Sequence, residues 1–381
     1  MSAAPKRHDD TSRHSRFITR RGCRLMRPAQ NSVDWLDYAR FLAAFSVMVF
    51  HYTANGIRRG VIENYDRFGA ISNAAEYGYL GVDLFFLISG YVIALTSSGK
   101  DAPTFAISRF VRLWPTFLLC LVATTLVRVC LGGPQFEVSL AQFIVNTTML
   151  APYLGFDHID SVYWTLAYEL GFYGLVFVAI LLGLKARLEQ LMVLWLLAII
   201  AFDVLGANLP LIGNYNYLFV IGFLLQRIEQ SGWSLWRALP LLVASAFAIM
   251  ASVERAAQMS LNRGDFMLNP IIVGAATAVF ILAFLFFGQT RLKGLRLPGA
   301  RRLGLMTYPL YLLHAYIGYV LLNRFATEAN KVVVVCGMFA FMLFLSYSVT
   351  RFFEEPVLPR IRDSLANVST GMARKLASKR A

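Results

Sequence analysis

The chain has 381 residues, of which 57% are hydrophobic and 15% charged, and its mean hydropathy is +0.56. This composition is too apolar for a soluble globular protein of that length. Runs of about 20 apolar residues recur along the whole chain, as expected of helices that cross a bilayer. We therefore predict an all-α fold, a polytopic integral membrane helical bundle.

Ten such runs predict about ten transmembrane helices in a membrane domain that covers residues 35–356. The fifth and sixth runs are the least regular, because Asp203, Asn208 and Pro210 interrupt them. In chain order the predicted spans are residues 35–54, 78–97, 111–131, 162–183, 189–206, 211–227, 235–252, 268–288, 304–323 and 332–353.

Basic segments flank the predicted membrane domain. Residues 1–34 are rich in Arg and His and contain no apolar core, which excludes a signal peptide. Their composition is typical of a disordered cytoplasmic tail. Translation from Met26 instead of Met1 is an alternative that the sequence leaves open. Residues 357–381 form a second basic tail, which we also predict to be cytoplasmic.

The formal net charge is +14, and its distribution indicates orientation in a membrane. With the N-terminus in the cytoplasm, 27 of the 36 Lys and Arg residues fall in cytoplasmic segments and 7 in outer loops. This bias follows the positive-inside rule and predicts that both termini are cytoplasmic. We expect anionic lipid headgroups, and no nucleic acid, to be the partners of this charge.

The first predicted span contains two ionisable residues, Arg40 and His51, separated by ten apolar or small residues. On a helix they lie within about 20° of one face and about 16 Å apart along the axis. Ionisable groups at this depth usually face a protein interior or a cavity and serve a function there. The spacing favours a site for an elongated ligand.

Three other spans carry isolated ionisable residues, namely Asp83, Glu169 and His314. The predicted topology places Asp83 and Glu169 in the outer halves of their spans, at a depth similar to that of His51. His314 lies deeper, one turn after Tyr311. Two plainer interpretations stay open. Asp83 is also consistent with an interfacial carboxylate near a helix N-terminus, and His314 with a packed side chain that donates to a backbone carbonyl.

Arg109 and Arg112 lie at positions i and i+3 near the cytoplasmic end of the third span, on one helix face. With Arg40 they would form a cationic cluster on that side. A planar guanidinium bonds phosphate bidentately, so the cluster suits the phosphates of a long anionic donor. Ordinary anchoring of basic residues at the membrane boundary is the alternative interpretation.

The cysteines give no sign of a metal site. Cys120, Cys130 and Cys336 lie in apolar spans and Cys23 lies in the N-terminal tail, without the spacing of a metal centre. We expect them to pack as small apolar side chains, and we predict neither a metal ion nor a tightly bound cofactor.

Taken in order, these motifs resemble those of the family-3 membrane acyltransferases over residues 33–359. Arg40 and His51 match the family's Arg-x10-His motif. Two positions depart from the family pattern: Thr165 and Pro309 stand where Ser is usual. The other matching segments are GVDLFFLISGYVI, SRFVRLWP, YWTLAYELGFY, YPLYLLH and FFEEP.

The resemblance implies transfer of an acyl group, commonly acetyl, from acyl-coenzyme A to a sugar on the outer side of the membrane. It implies that His51 is the general base, with Asp83 or Glu169 orienting its imidazole and stabilising the imidazolium. The other implied site residues are Arg40, Arg109 and Arg112, which would bind the coenzyme, and Tyr311 and His314, which would line the acceptor or thioester site.

The resemblance further implies a bacterial inner (plasma) membrane and a glycan or lipid-linked saccharide acceptor, such as exopolysaccharide or lipopolysaccharide O-antigen. Envelope-polysaccharide synthesis proteins are candidate partners. Direct transfer and an acyl-histidine intermediate both stay open. A proton-coupled transporter is the main alternative, although no internal repeat supports it. A non-catalytic membrane scaffold would leave the order of the motifs unexplained.

Overall fold

The computed structural model describes residues 33–97, 99–206, 213–261, 267–289, 294 and 296–378. Met26 and all but the last two residues of the predicted N-terminal tail lie outside this part of the chain. Within it, the regular structure is entirely helical and contains no β-strand, which confirms the predicted all-α class.

The described residues form fourteen α-helices, which are joined by loops and short 3₁₀ or π-helical turns. In chain order they are α1 (Asp34–Phe50), α2 (Gly56–Arg58), α3 (Ala70–Ala75), α4 (Gly81–Ser97), α5 (Ala102–Leu131), α6 (Leu140–Asn146), α7 (Trp164–Leu181), α8 (Leu188–Val204), α9 (Asn216–Ser231), α10 (Leu235–Leu261), α11 (Pro270–Gln289), α12 (Ala300–Phe325), α13 (Lys331–Val349) and α14 (Glu355–Ser378).

Seven of the described helical stretches are long and apolar enough to cross a bilayer. The other three predicted spans coincide with α1, α8 and α9, which are helical but have 17, 17 and 16 residues. Such lengths are near the lower limit for a span. A helical membrane protein is confirmed, whereas ten spans and cytoplasmic termini stay predictions. The seven stretches are Ala70–Ser97, Ala102–Leu131, Ser161–Leu181, Leu235–Leu261, Pro270–Gly288, Ala300–Phe325 and Lys331–Thr370.

Two of the helices that carry predicted site residues, α4 and α12, are the most buried of the seven apolar stretches. The apolar window of α12 is 83% buried and that of the stretch containing α4 is 67% buried, against 28% for α10 and α11. Helix α12 packs against α1, α5 and α13, while α4 packs against α1 and α9. His51, Asp83 and His314 are accordingly buried in protein, as the cost of placing ionisable groups in lipid requires.

Two glycines allow α4 and α9 to approach closely. A Cβ atom at Gly222 of α9 would collide with the Leu87 carbonyl oxygen, and one at Gly90 of α4 with the Phe219 carbonyl oxygen. Small residues at such contacts let transmembrane helix backbones touch. This contact fixes α4 against its neighbour, and with it the position of Asp83.

Helix α5 begins before the predicted third span, and a capping residue explains its start. The Asp101 carboxylate accepts the Thr104 backbone N–H at 3.0 Å, and Pro103 lies in the first turn. Both features favour a helix N-terminus. Arg109 and Arg112 therefore lie inside the helix, where their side chains have fixed directions.

Candidate active site

Helix α1 continues into a π-helical turn, His51–Asn55, whose five residues are all buried. The Gly56 N–H bonds to the His51 carbonyl five residues earlier, as a π-helix requires. Single turns of this kind are frequent at functional sites. Here the turn brings two polar side chains together, with Asn55 Nδ2 lying 3.4 Å from Nδ1 of His51.

Tyr319 of α12 holds the imidazole of His51. Its hydroxyl is hydrogen bonded to Nδ1 of His51, and Asn55 Nδ2 donates to the same hydroxyl oxygen at 3.4 Å. The adjacent Tyr52 donates its hydroxyl proton to the His314 carbonyl oxygen at 2.6 Å. Contacts of His51 and Tyr52 thus join the end of α1 to α12. The Tyr319 hydroxyl and the Asn55 amide hold the His51 ring.

His314 is fully buried, and the centre of its ring lies 5.0 Å from that of His51. Its Nδ1 lies 3.1 Å from the Leu310 carbonyl oxygen and 2.8 Å from that of Tyr311. Carbonyls only accept, so Nδ1 carries a proton and Nε2 is the acceptor of the neutral ring. Nε2 is buried without a hydrogen-bond partner among the described residues. We call His51 and His314 the imidazole pair.

Tyr311, predicted to contact substrate, is joined to α7 by its hydroxyl. Its oxygen lies 3.1 Å from Oγ1 of Thr165, and it also donates to the Val162 carbonyl at 3.3 Å. The rings of Tyr311 and His314 are 5.7 Å apart. Thr165 replaces the serine that is usual at its position, and it supplies the same hydroxyl group. This departure from the family pattern therefore preserves the polar contact.

Asp83 is fully buried in an ion pair with Arg255 of α10, with 2.9 Å between Oδ2 and Nη2. Ser252 donates its hydroxyl proton to the same oxygen at 2.6 Å. The predicted spans 235–252 and 268–288 leave Arg255 in the loop between them, whereas it lies in α10 and over the ring of Tyr215, 4.0 Å from its centre. Arg255 balances the charge of Asp83. The described partners of this carboxylate are thus Arg255 and Ser252.

Glu169 of α7 accepts a hydrogen bond from Oγ of Ser89 at 2.5 Å. It also lies close enough to interact electrostatically with Arg40 and with Tyr311. Glu169 is thus within range of both the predicted coenzyme-binding residues and the predicted substrate-binding residues.

The three predicted coenzyme-binding arginines, which we call the arginine cluster, converge on Tyr173 of α7. The guanidinium of Arg109 lies 5.7 Å from the centre of the Tyr173 ring. Arg40 and Arg112 also interact electrostatically with this tyrosine. Within the described part of the chain, the one carboxylate at ion-pair distance from the cluster is Asp37, 3.7 Å from Arg40. Most of the cluster's N–H donors therefore remain available for a ligand.

Sequence reasoning missed several residues around the imidazole pair, including Tyr319, Asn55 and Asp160. Asp160 is fully buried just before the fourth span and accepts the Tyr316 backbone N–H at 2.9 Å. Burial raises the pKa of Asp160 to about 7. Tyr319 is one of several tyrosines in the ninth predicted span, and Asn55 and Asp160 resemble ordinary polar residues at helix ends, so no local pattern indicated them.

Comparison with known proteins places this arrangement in a family. The acyltransferase-domain model of family 3 matches residues 33–351. The chain belongs to the family-3 acyltransferases. All the predicted site residues lie within the matched region, and the apolar helices agree with a multi-pass membrane acyltransferase. No curated protein and no solved structure matches the chain.

Proposed function

We propose that this acyltransferase moves an acyl group, acetyl being the family's commonest, from cytoplasmic acyl-coenzyme A to a hydroxyl of an extracytoplasmic or lipid-linked glycan. The supporting observation is the placement of one member of each group, Arg40 and His51, along α1 and the π-helical turn that continues it. Arg40 and His51 are about 16 Å apart along α1, which suits a donor with phosphates at one end and a thioester at the other. A bacterial inner membrane and envelope-polysaccharide enzymes as partners complete the proposal.

In this proposal His51 is the general base. When its Nδ1 proton is donated to the Tyr319 hydroxyl oxygen, Nε2 is the nitrogen that takes the proton of the acceptor hydroxyl. The acceptor oxygen then bonds to the thioester carbonyl carbon, and the carbon–sulfur bond breaks. The imidazolium returns the proton to the sulfur of coenzyme A. The products are an ester and free coenzyme A, and His51 is neutral again.

An acyl-histidine route uses the same residue in another role. Here Nε2 of His51 attacks the thioester carbonyl carbon and the coenzyme A thiolate leaves. The acceptor hydroxyl oxygen then attacks the acyl carbon, the carbon–nitrogen bond breaks, and the hydroxyl proton passes to the thiolate. Of the two carboxylates predicted to assist, Asp83 is paired with Arg255, whereas Glu169 accepts a hydrogen bond from Ser89. Glu169 also interacts electrostatically with Arg40, at the donor end of the site.

The phosphates of the coenzyme are assigned to Arg40 and Arg112 of the arginine cluster. Arg40 and Arg112 interact with each other electrostatically, and only Asp37 is at ion-pair distance from Arg40 within the described residues. Like charges held close together favour an anion between them, and guanidinium–phosphate bonds are strong and directional. Arg109, which the sequence also predicts to bind the coenzyme, lines a groove on the lateral face of the bundle.

The test is transfer of labelled acetyl from acetyl-coenzyme A to cell-surface glycan in membranes that contain the wild type, His51→Ala or His158→Ala at matched expression. His158 is the control, because it lies in the loop before α7, outside the imidazole pair. We expect the wild type and His158→Ala to label glycan and His51→Ala not to do so.

Two results would contradict the proposal. Equal labelling by the wild type and His51→Ala would make His51 structural. If no membrane transfers label but the wild type takes up a solute with protons, the transporter interpretation replaces the enzyme. Supplying the coenzyme separately to each side of sealed vesicles tests the donor side, and we expect transfer only from the cytoplasmic side.

A further inference from the structure

A groove on the lateral face of the bundle lies between α5, α7 and the segment that joins them. Its volume is about 300 Å³, and its lining is apolar apart from Arg109, Thr148 and Tyr173. Phe110 and Trp114 line it and are 43% and 37% exposed. The groove therefore opens at the outer surface of the bundle, where lipid surrounds a membrane protein.

One wall of the groove is the segment that follows α6. The indole N–H of Trp114 donates to the Thr147 carbonyl at 3.1 Å. Trp114 lies about 25 Å along the axis from the end of α5 at Leu131, so this segment folds back deep along the helix. Met149 lines the groove, is buried and has a φ of +63°. A strained conformation of this kind costs about 1–3 kcal/mol and is typical of ligand sites.

The cytoplasmic end of the groove is positively charged. The hydroxyl of Ser108 accepts from Lys100 at 3.1 Å and from Arg109 at 3.4 Å. Burial and the nearby charges of Arg109 and Arg362 lower the pKa of Lys100 to about 8. In the described ranges no carboxylate lies at ion-pair distance from Arg109, and Asp101 is engaged as the N-cap of α5. This end can therefore hold an anion.

Tyr173 separates the groove from the rest of the arginine cluster. The guanidinium of Arg109 faces the rings of Phe105 and Tyr173, at 5.8 and 5.7 Å. Arg112, one turn later, faces the ring of Tyr308 at 5.6 Å. Arg109 thus belongs to the lateral groove, while Arg112 lies with Arg40 in the interior.

We propose that this groove binds an anionic phospholipid, with its headgroup phosphate on Arg109 and one acyl chain along the apolar lining. Lipid tails are as apolar as the groove, so hydrophobic burial does not favour one lipid over another. Packing and the phosphate contact select the ligand instead. Each basic side chain near a membrane surface attracts anionic lipid by about 1 kcal/mol. The proposal assigns Arg109 to lipid instead of the coenzyme, and it does not depend on the proposed acyl transfer.

A glycine in the groove allows a clean test of the acyl-chain site. Gly174 lines the groove, and a Cβ atom there would meet no other atom within 4 Å. Gly174→Leu therefore fills the groove without a backbone collision. Gly337 of α13 is the matched control, because it is also an exposed helical glycine with open space around it. Gly337→Leu adds the same side chain elsewhere on the lateral surface.

The measurement is native mass spectrometry of the purified full chain, titrated with phosphatidylglycerol or with phosphatidylcholine of identical acyl chains. We expect the wild type to retain phosphatidylglycerol in preference to phosphatidylcholine. Gly174→Leu should lower phosphatidylglycerol occupancy about tenfold, equivalent to about 1.4 kcal/mol, and Gly337→Leu should leave it unchanged. Equal effects of the two leucines, or equal retention of the two lipids by the wild type, would overturn the proposal.

A second pair of variants tests the headgroup contact and decides the matter if Gly174→Leu does not fold. Arg109→Gln should remove the preference for phosphatidylglycerol. Arg187→Gln, an exposed arginine in the cytoplasmic loop after α7, should keep it. An unchanged preference in Arg109→Gln would exclude the site. Because lipid retention is measured without acyl transfer, this result and the outcome of the transfer assay are independent.

Discussion

The imidazole pair and the arginine cluster share α1, which carries Arg40 and leads into the turn with His51, but the two groups are held in different ways. Around the imidazole pair, each Nδ1 has described hydrogen-bond partners, which are Tyr319 and Asn55 for His51 and backbone carbonyls for His314. In the arginine cluster, Arg109 and Arg112 lie mainly against aromatic rings. Hydrogen bonds fix the end with the imidazole pair. The end with the arginine cluster has N–H donors that are not yet used.

The difference suggests separate tasks for the two ends. Catalytic groups need a fixed orientation, and the contacts of His51 with Tyr319 and Asn55 hold its ring. A binding end gains more from donors that are not yet used, because a phosphate can then take them. Variants at the two ends can show whether the end with His51 serves the chemistry and the end with Arg40 binds the acyl donor.

The largest effect is expected for His51→Gln, which removes the base but keeps a polar side chain of similar length. We expect kcat to fall by about 10²–10⁴-fold, the usual contribution of a general base. The KM for acetyl-coenzyme A should change little, because the arginine cluster is intact. Steady-state kinetics in proteoliposomes measures the two constants. An increase in KM with unchanged kcat would show that this end binds the donor instead.

Arg40→Gln should have the opposite signature. Loss of a charge-assisted bond to phosphate costs about 1.5–3 kcal/mol, so the KM for acetyl-coenzyme A should rise by roughly 10–100-fold, with a smaller change in kcat. Arg40→Lys should restore part of the affinity, since the charge returns without the bidentate geometry. A fall in kcat alone would contradict the division between the two ends.

Patterns within single helices predicted much of this structure. Apolar periodicity identified the helical class, and the spacing of Arg40 and His51 placed them on one face of what became α1. The i, i+3 spacing of Arg109 and Arg112 likewise brought both to Tyr173. These features depend only on helix geometry, which a sequence reports directly.

Contacts between helices could not be predicted in the same way. Asp83 has a partner 172 positions away in Arg255, and no local pattern indicates such a pair. The predicted spans left Arg255 in a loop. Tyr319 contacts His51 across 268 positions, and it was overlooked because tyrosines in membrane helices are common. The pairing of hydrogen-bond and ion-pair partners on different helices depends on how the helices pack.

Tyr319→Phe should sharpen the comparison at the imidazole end. The variant keeps the ring and removes the hydroxyl oxygen that contacts His51 and Asn55. Removing a group that orients a metal-bound imidazole typically costs about 10–100-fold, and we expect a loss of similar size here, in kcat alone. Tyr316→Phe, one turn earlier on α12, is the control. Equal kinetics for the two variants would mean that Tyr319 does not orient His51.

Asp160→Asn tests the buried carboxyl through the pH dependence of stability. The pKa of Asp160 is raised to about 7 by burial, against about 3.9 for an exposed aspartate. The folded state thus binds the proton more tightly, so stability is greatest at acidic pH and falls as pH rises from about 4 to about 7. We expect the melting temperature of Asp160→Asn, relative to the wild type, to rise by a few degrees between pH 5 and pH 8. A pH-independent difference would show that the carboxyl does not titrate in this range.

The smallest effect should come from Thr165, where the chain departs from the family pattern. Its hydroxyl lies 3.1 Å from that of Tyr311, and a neutral hydrogen bond contributes about 0.5–1.5 kcal/mol. Thr165→Val keeps the shape but removes this bond, so kcat/KM should fall by about two- to tenfold. Thr165→Ser restores the usual family residue and keeps the hydroxyl, so its kcat/KM should match the wild type. If Thr165→Ser lost as much activity as Thr165→Val, the methyl group and not the hydroxyl would position Tyr311.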